Sequence, residues 1–387
     1  MNASDSPLTG GRRIAYFITP HGYGHAARAC AVMAALVDRR PGTHFDVFTR
    51  LPEWFFQSTL GGSFTYHELL TDIGLAQKTA LSEDLPETLR RLGQLLPFDR
   101  DVVGRVAQQL RQIGCRLVMC DIAPMGIAVA CEAGIPSLLI ENFTWDYIYD
   151  GYLTDDDRLG WYIDYLAGIF ERADYCIQTE PVSRRRPCNL TTAPVSRAHR
   201  TPATEVRQEM RIPEDAPVVM VSMGGFSWHY RFLDRLAAWP EVTFIVPGAS
   251  NGTAQRGQPG ALPGNLVLLP HHSPFFHPDL VNASDAVVGK VGYSTVAEVY
   301  WSGVAMVYVP RPRFRESQAL VEFVEREMHS LPMSDAEFDD GGWLSRLPNL
   351  LTKPRKSRTG QNGADQVARF VDDLLTSSAC PSSSRTV

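Results

Sequence analysis

At 387 residues the chain is too long for a single small binding module and has the length of two compact domains of about 150 residues or more each. With 44% hydrophobic and 21% charged residues it is a globular chain, not a disordered, collagen-like or coiled-coil one. A net charge of -6, from 37 basic and 43 acidic residues, lacks the basic excess that a phosphate backbone attracts and argues against nucleic acid as partner.

No apolar run reaches the ~18 residues of a membrane span, and the first seven residues, Met1 to Pro7, lack the apolar core of a secretory signal. The expectation is a cytoplasmic protein with no membrane span. Its 7 cysteines are scattered, odd in number and without a Cys-x-x-Cys pair, so they read as reduced thiols with no zinc site. Only Lys78, Lys290, Lys353 and Lys356 are lysines, which leaves Lys290 isolated in a chain that otherwise uses arginine.

From Arg13 onward, short apolar runs alternate with amphipathic stretches, the pattern of a doubly wound parallel sheet. Strands are expected at residues 14–19, 45–49, 64–68, 117–121, 137–140 and 175–178, with helices around 25–39, 101–113, 126–133 and 158–171. The stretch 184–216 contains Pro187, Pro194, Pro202 and Pro213 without sustained periodicity and reads as an interdomain connection. A second alternation follows, with strands at 218–222, 243–246, 266–269, 286–288 and 306–309 and helices starting near Tyr293 and Arg315. The expected organisation is a flexible 1–12, a first domain 13–183, the connection 184–216, a second domain 217–376 that includes a helix at 364–375, and a frayed tail 377–387.

Chemistry-bearing residues fall after strands. Thr19-Pro20-His21-Gly22-Tyr23-Gly24-His25 leaves the first strand and opens the first helix, where glycines let a backbone turn sharply and approach a ligand. The helix dipole disfavours an imidazolium, so His25 is either a neutral base or a simple helix cap. Asp121 ends a strand at the same sheet edge and either orients His25 or caps the helix after it. After another strand end, Asn142, Trp145 and Asp146 mix stacking and hydrogen-bonding groups suited to a polar ring, while Phe143 and Ile148 read as core.

In the second half, Met223-Gly224-Gly225 makes another glycine turn between strand and helix. It is joined by Lys290-Val291-Gly292-Tyr293-Ser294-Thr295 with Glu298 one turn into a helix, where backbone N–H groups, Lys290 and the hydroxyls can surround a diphosphate and Glu298 can take two ribose hydroxyls. The spacing is not Walker A, which places Ser or Thr directly after Gly-Lys.

These motifs together, His-Gly-Tyr-Gly-His, Met-Gly-Gly and Gly-Lys-Val-Gly-Tyr-Ser-Thr-Val-x-Glu, resemble the GT-B glycosyltransferases over about residues 13–375. The similarity is to the peptidoglycan N-acetylglucosaminyltransferase and UDP-glycosyltransferase group, and to the glycosyltransferase-like domain fused to plant arabinokinase, which shares the His-Gly-x-Gly-His turn and an Asn-x-x-Trp-Asp segment. The resemblance implies an α/β protein of two Rossmann-like doubly wound domains facing across a cleft. It implies inverting, metal-independent transfer of a sugar, most naturally from a UDP-sugar, to a small-molecule acceptor.

By the same resemblance His25 is the base, Asp121 its orienter and Glu298 the ribose ligand; Glu316 and Gln318 fall on the donor-sugar segment and His271 on a turn that meets the nucleotide base. His21, Gly22, Tyr23 and Gly24 would then face the acceptor with Asn142, Trp145 and Asp146. Lys290-Val291-Gly292 departs from the family's usual diphosphate turn, and Glu316 replaces the usual aspartate. Asp155-Asp156-Asp157 is a solvated helix start, not a metal-binding Asp-x-Asp, and no cofactor or metal is expected. Donor sugar, acceptor and oligomeric state are left open, the specificity resting on variable loops such as 73–97. A nucleotide-sugar epimerase or hydrolase and a non-catalytic nucleotide-sugar-binding protein remain the alternatives.

Overall fold

The computed structural model describes residues 13–224, 230–248, 264–270 and 273–377. They form two compact units: the chain up to Leu75, Leu85–Ala193 and the chain from Gly363 make the first, Ala76–Asp84 and Pro194–Asn362 the second.

The first unit is built on β1 (Arg13–Ile18), β2 (His44–Thr49), β3 (Phe64–Glu68), β4 (Leu117–Asp121), β5 (Ser137–Glu141), β6 (Tyr175–Thr179) and β7 (Leu190–Thr192). All pairings are parallel, in the order β3-β2-β1-β4-β5-β6-β7. Its helices are α1 (Tyr23–Arg39), α2 (Glu53–Leu60), α3 (Leu85–Leu95), α4 (Arg100–Gln112), α5 (Pro124–Ala133), α6 (Trp145–Asp150), α7 (Leu159–Phe170) and the last helix, Gly363–Thr376.

Strand order reverses between β1 and β4, so right-handed crossovers place helices on both faces and open a crevice at the carboxyl ends of these two strands. The central strands are continuous apolar runs because both faces are covered; Ile14–Ile18 and Leu117–Cys120 are buried without alternation. The register sets Ile18 opposite Asp121. Small residues let α1 lie close to its neighbours, with Ala26, Ala27, Ala29, Cys30 and Ala31 all buried.

The second unit repeats the plan with β8 (Val218–Ser222), β9 (Thr243–Pro247), β10 (Leu266–Leu269), β11 (Ala286–Lys290), β12 (Ala305–Val309) and β13 (Ser330–Pro332), in the order β10-β9-β8-β11-β12-β13. Its reversal lies between β8 and β11. Around the sheet run α8 (Ala203–Glu209), α9 (His277–Ala283), α10 (Tyr293–Ser302), α11 (Glu316–Glu327), α12 (Asp335–Asp340) and α13 (Leu347–Leu351). Gly289 is required where the two reversal strands meet, because a Cβ there would lie 1.9 Å from the Ser222 carbonyl oxygen.

Three boundaries differ from the sequence expectation. The supposed connection 184–216 is structured: β7 extends the first sheet through backbone pairing with β6, and α8 belongs to the second unit. The last helix, expected in the second domain, joins the first, because Asp372 is bound by Arg39 and Arg40 at the end of α1. The supposed loop 73–97 divides as well; Ala80 enters the apolar core of the second unit, Glu83 pairs with Arg313 there, and Leu85–Leu95 is α3. Among the described residues no helix is long and apolar enough to cross a membrane.

Candidate functional site

At the reversal point of the first unit, β1 and β4 deliver Thr19 and Asp121 side by side, with the Thr19 N–H donating to the Asp121 carbonyl at 3.3 Å. Gly22 precedes the first turn of α1 and provides no side-chain cap, and His25 follows on the inward face. The His25 imidazole Nδ1 lies 2.9 Å from Asp121 Oδ1. Neither histidine nor aspartate is a helix cap, since Gly22 occupies the N-cap of α1 and Ala123 that of α5, each without a side-chain hydrogen bond.

Three residues on from His25, on the same helix face, Arg28 binds Asp121 through Nε to Oδ2 and Nη2 to Oδ1, both at 2.7 Å. Its Nη1 donates to Asn142 Oδ1 at 2.6 Å. Burial opposes ionisation of Asp121, but the charge and hydrogen bonds of Arg28 and the bond from His25 outweigh it and hold the carboxyl below its ordinary range. The residue after Asp121, Ile122, has φ +56, a left-handed backbone that a β-branched side chain rarely adopts. The strain is stored where the strand end must aim its carboxylate at the helix.

His21 receives a hydrogen bond on Nδ1 from the Leu75 N–H at 3.2 Å and meets the edge of Trp145 at 5.0 Å between ring centroids. Tyr23 stacks on Phe55 at 5.2 Å, and burial raises its phenol above the ordinary range. Gly22 has φ 174, an extended backbone open to any residue, and nothing lies within 4 Å of where its Cβ would be. The turn itself therefore does not demand glycine at 22, contrary to the sequence argument, and neither Gly22 nor Gly24 lies in the left-handed region. Asn142, Trp145 and Asp146 are all buried; Asn142 is turned to Arg28, and Asp146 Oδ2 accepts from Arg184 at 3.0 Å.

At the reversal point of the second unit, Gly224 follows β8 with φ +69, and a Cβ there would stand 3.1 Å from Lys290 Cε. The left-handed backbone favours glycine here, and its lack of a side chain leaves room for Lys290. Burial first, then the charge of Arg311, push the Lys290 ammonium down to about 7, while Glu316 pulls the other way. Arg311, buried and stacked at 4.4 Å on Phe314, is a cation the sequence reading did not assign, although it directly follows β12 and Pro310.

Gly292 precedes α10 without a side-chain cap; Ser294 is half-buried and Thr295 buried in its first turn. Tyr293 is drawn into structure, its hydroxyl accepting from the Val195 N–H at 3.1 Å. Glu298 is also engaged: Arg197 Nη2 donates to Oε1 at 2.9 Å and His277 Nδ1 meets Oε2 at 2.7 Å. Against the opposing effect of burial, those two partners hold its carboxyl low.

Glu316 and Gln318 are not brought together. Glu316 is buried beside Lys290 and Arg311, whereas Gln318 is exposed and bonded to Glu322, because residues two apart on a helix face different ways. Gly225 and His271 lie outside the described residues. Among the described residues no three His, Cys, Asp or Glu side chains gather as metal ligands.

Two parallel doubly wound units with polar groups at both reversal points define a glycosyltransferase-like GT-B fold. Solved structures sharing it include the glycosyltransferase of kitacinnamycin, at TM-score 0.61 and 16% identity, covering 94% of this chain and 98% of that one. Another is the glycosyltransferase VinC in complex with dTDP, at TM-score 0.57 and 16% identity, covering 94% and 96%. In sequence the chain is similar to L-arabinokinase of Arabidopsis thaliana, 28% identical over 380 residues. The match takes in 95% of this chain and 35% of that protein, so the chain spans about a third of the relative's length. No family model matches.

Proposed function

We propose that the protein is an inverting glycosyltransferase that binds a nucleoside-diphosphate sugar through the second unit and activates a small acceptor through His25 of the first. The observation that carries this is the His25–Asp121 dyad at the reversal point of the first sheet, its Nδ1 held by a buried carboxylate and its Nε2 left to act as base. In the step, the acceptor hydroxyl gives its proton to His25 Nε2 while its oxygen forms a bond to the anomeric carbon. The bond from that carbon to the diphosphate oxygen breaks, and its electron pair leaves with the nucleoside diphosphate. Lys290, Arg311 and the N–H groups opening α10 are suited to neutralise that leaving group, so no divalent ion is required. A UDP-sugar is the expected donor.

The test is transfer from UDP-, dTDP- and GDP-sugars to an acceptor panel, with product anomeric configuration read out. His25→Ala should lower turnover roughly 10²–10⁴-fold with nucleotide affinity unchanged. Near-native turnover in that variant, or activity abolished by EDTA and restored by magnesium or manganese, sinks the mechanism.

One observation favours a second reading, a non-catalytic nucleotide-sugar-binding protein: Arg28 already neutralises Asp121, which weakens its support for an imidazolium. Nucleotide binding without turnover across the panel would select it. The name of the longer relative is a kinase's, but two-thirds of that protein has no counterpart here, and we assign no phosphoryl transfer to this part.

A further inference from the structure

Among the described residues the large apolar side chains left exposed are Leu153 and Trp161, 37% and 52% exposed, and both belong to the corner that leads into α7. Trp161, in the first turn of that helix, lines a groove of about 370 Å³ between α3 and α7 with Pro86, Leu89, Arg90, Arg158 and Tyr162. Its volume falls in the range of small-molecule clefts, about 300–1,000 Å³. The groove lies wholly in the first unit, and none of its residues belongs to the His25 turn or its partners.

The walls are held in place by the fold. Trp161 stacks on Tyr165 at 5.2 Å between ring centroids and 16° between planes, and the Tyr165 hydroxyl accepts from the Phe98 N–H at 3.1 Å. Tyr162 packs edge-to-face with Trp161, its hydroxyl set against Gly93 of α3, where a Cβ would stand 3.2 Å from it. With one face on Tyr165 and half its surface in water, the indole offers aromatic surface to whatever enters the groove. The face of such a ring is the negative side of its quadrupole and attracts polarised C–H groups.

The two arginines supply hydrogen-bond donors without net charge. Arg90 reaches Glu87 through Nε and Nη2, both at 2.7 Å, and Arg158 reaches Asp156 through Nε at 2.9 Å and Nη2 at 2.6 Å. This side-on pairing leaves the Nη1 group of each, with its two N–H donors, without a partner among the described residues. Arg91 shares Glu87, and Asp157 acts on Arg158 as Asp156 does, so three cations meet three carboxylates around the groove. An anion would be repelled by those carboxylates as well as drawn by the guanidinium groups. A purely apolar guest would strip water from the Nη1 donors and return no hydrogen bond. A neutral pyranose meets both demands, because its C–H face is apolar and hydroxyl oxygens ring its edge.

We propose that this groove is a binding site for a neutral saccharide, with one pyranose face on the Trp161 indole and ring hydroxyls accepting from the Nη1 groups of Arg90 and Arg158. The site is separate from the His25 turn and does not rest on the glycosyl-transfer reading.

Binding of methyl β-D-glucopyranoside, cellobiose and maltose to the full chain without nucleotide decides it. One aromatic contact and a few exposed hydrogen bonds correspond to a Kd of the order of 1–10 mM for at least one of the three. In saturation-transfer NMR the ring C–H protons of that sugar should receive magnetisation from the protein's aromatic protons, and the indole N–H resonance that Trp161→Tyr removes should shift during the titration. Trp161→Ala should weaken binding roughly tenfold or more with the melting temperature unchanged, whereas Trp161→Tyr should keep most of it. Arg158→Met should weaken it about 3–10-fold, the size of one hydrogen bond. Methyl β-D-glucuronide, of the same ring shape but charged, should bind no better than the glucoside.

No saturation transfer to any of the three sugars at roughly ten times that Kd, binding that survives Trp161→Ala, or a preference for the glucuronide overturns the proposal. So does adsorption to phosphatidylcholine vesicles, or a dimer, that Trp161→Ala abolishes while no sugar binds, because the groove then has another occupant. Sugar binding of the expected kind with no transfer from any nucleotide sugar would overturn the transferase reading alone.

Discussion

Asp72 stands one hydrogen bond behind the first turn: Thr19 Oγ1 donates to Oδ1 at 2.6 Å, whereas Oδ2 has no partner among the described residues. Burial pushes its carboxyl up to about 7, against the pull of Thr19, the Gly74 N–H and the Trp145 indole, and the charge of Asp121 adds to the rise. In the unfolded chain it titrates near ~3.9. The stability it contributes is therefore complete below about pH 4 and is lost as pH climbs through about 7, the opposite of Asp121, whose contribution is lost towards acid. Asp72→Asn should make the protein more stable than its parent at pH 8, by up to ~4 kcal/mol, with the gap closing towards pH 4. Denaturation midpoints across that range check it; a gap independent of pH would show that the group is not the buried acid described.

The same scale shows what a sequence hides. His25 and Asp121 were legible because each follows an apolar strand and such ends share one sheet edge. Their arginine was not, because Arg28 and Asp121 are 93 residues apart and nothing local marks an arginine as buried. The same holds for Arg197 on Glu298, which with His277 turns a carboxylate read as a ribose ligand into one already engaged within its own unit.

At the scale of elements, strands of four residues or more were legible, β3 and β10 at the sheet edges included, and the two three-residue edge strands were not. β1, β4, β8 and β11 are continuous apolar runs but for one polar or charged end residue each, the mark of strands covered on both faces. β7 and β13 have three residues each, too few to show any period, and β7 lies in a stretch whose prolines suggested a linker. Glycines were over-read in the first motif and under-read in the second. Gly22→Ala meets open space at an extended backbone and should change stability by about 1 kcal/mol or less, the effect of alanine at an N-cap. Gly289→Ala drives a Cβ to 1.9 Å from the Ser222 carbonyl and forces β8 and β11 apart. It should destabilise the second unit by ~3 kcal/mol or more. Thermal unfolding of the two variants is the comparison, and equal melting temperatures would contradict the strand contact.

For the whole molecule, what mattered was which unit each segment joins, and this the sequence could not disclose. The last helix has an apolar stripe, Ala364, Val367, Ala368, Val371 and Leu375, that any sheet or helix could cover. Its partner is decided by Asp372, which Arg39 and Arg40 of the first unit hold from more than 300 residues away. Burying the Val367, Val371 and Leu375 side chains contributes roughly 5 kcal/mol or more, comparable to the net stability of a domain. Truncation after Asn362 should therefore loosen the first unit and spare the second. Hydrogen exchange should show faster exchange in β1, β4 and α1, with the β8, β11 and β12 amides unchanged and nucleotide affinity retained. Should the second unit lose protection instead, the helix would belong where its position in the chain suggested, with the second unit and not the first.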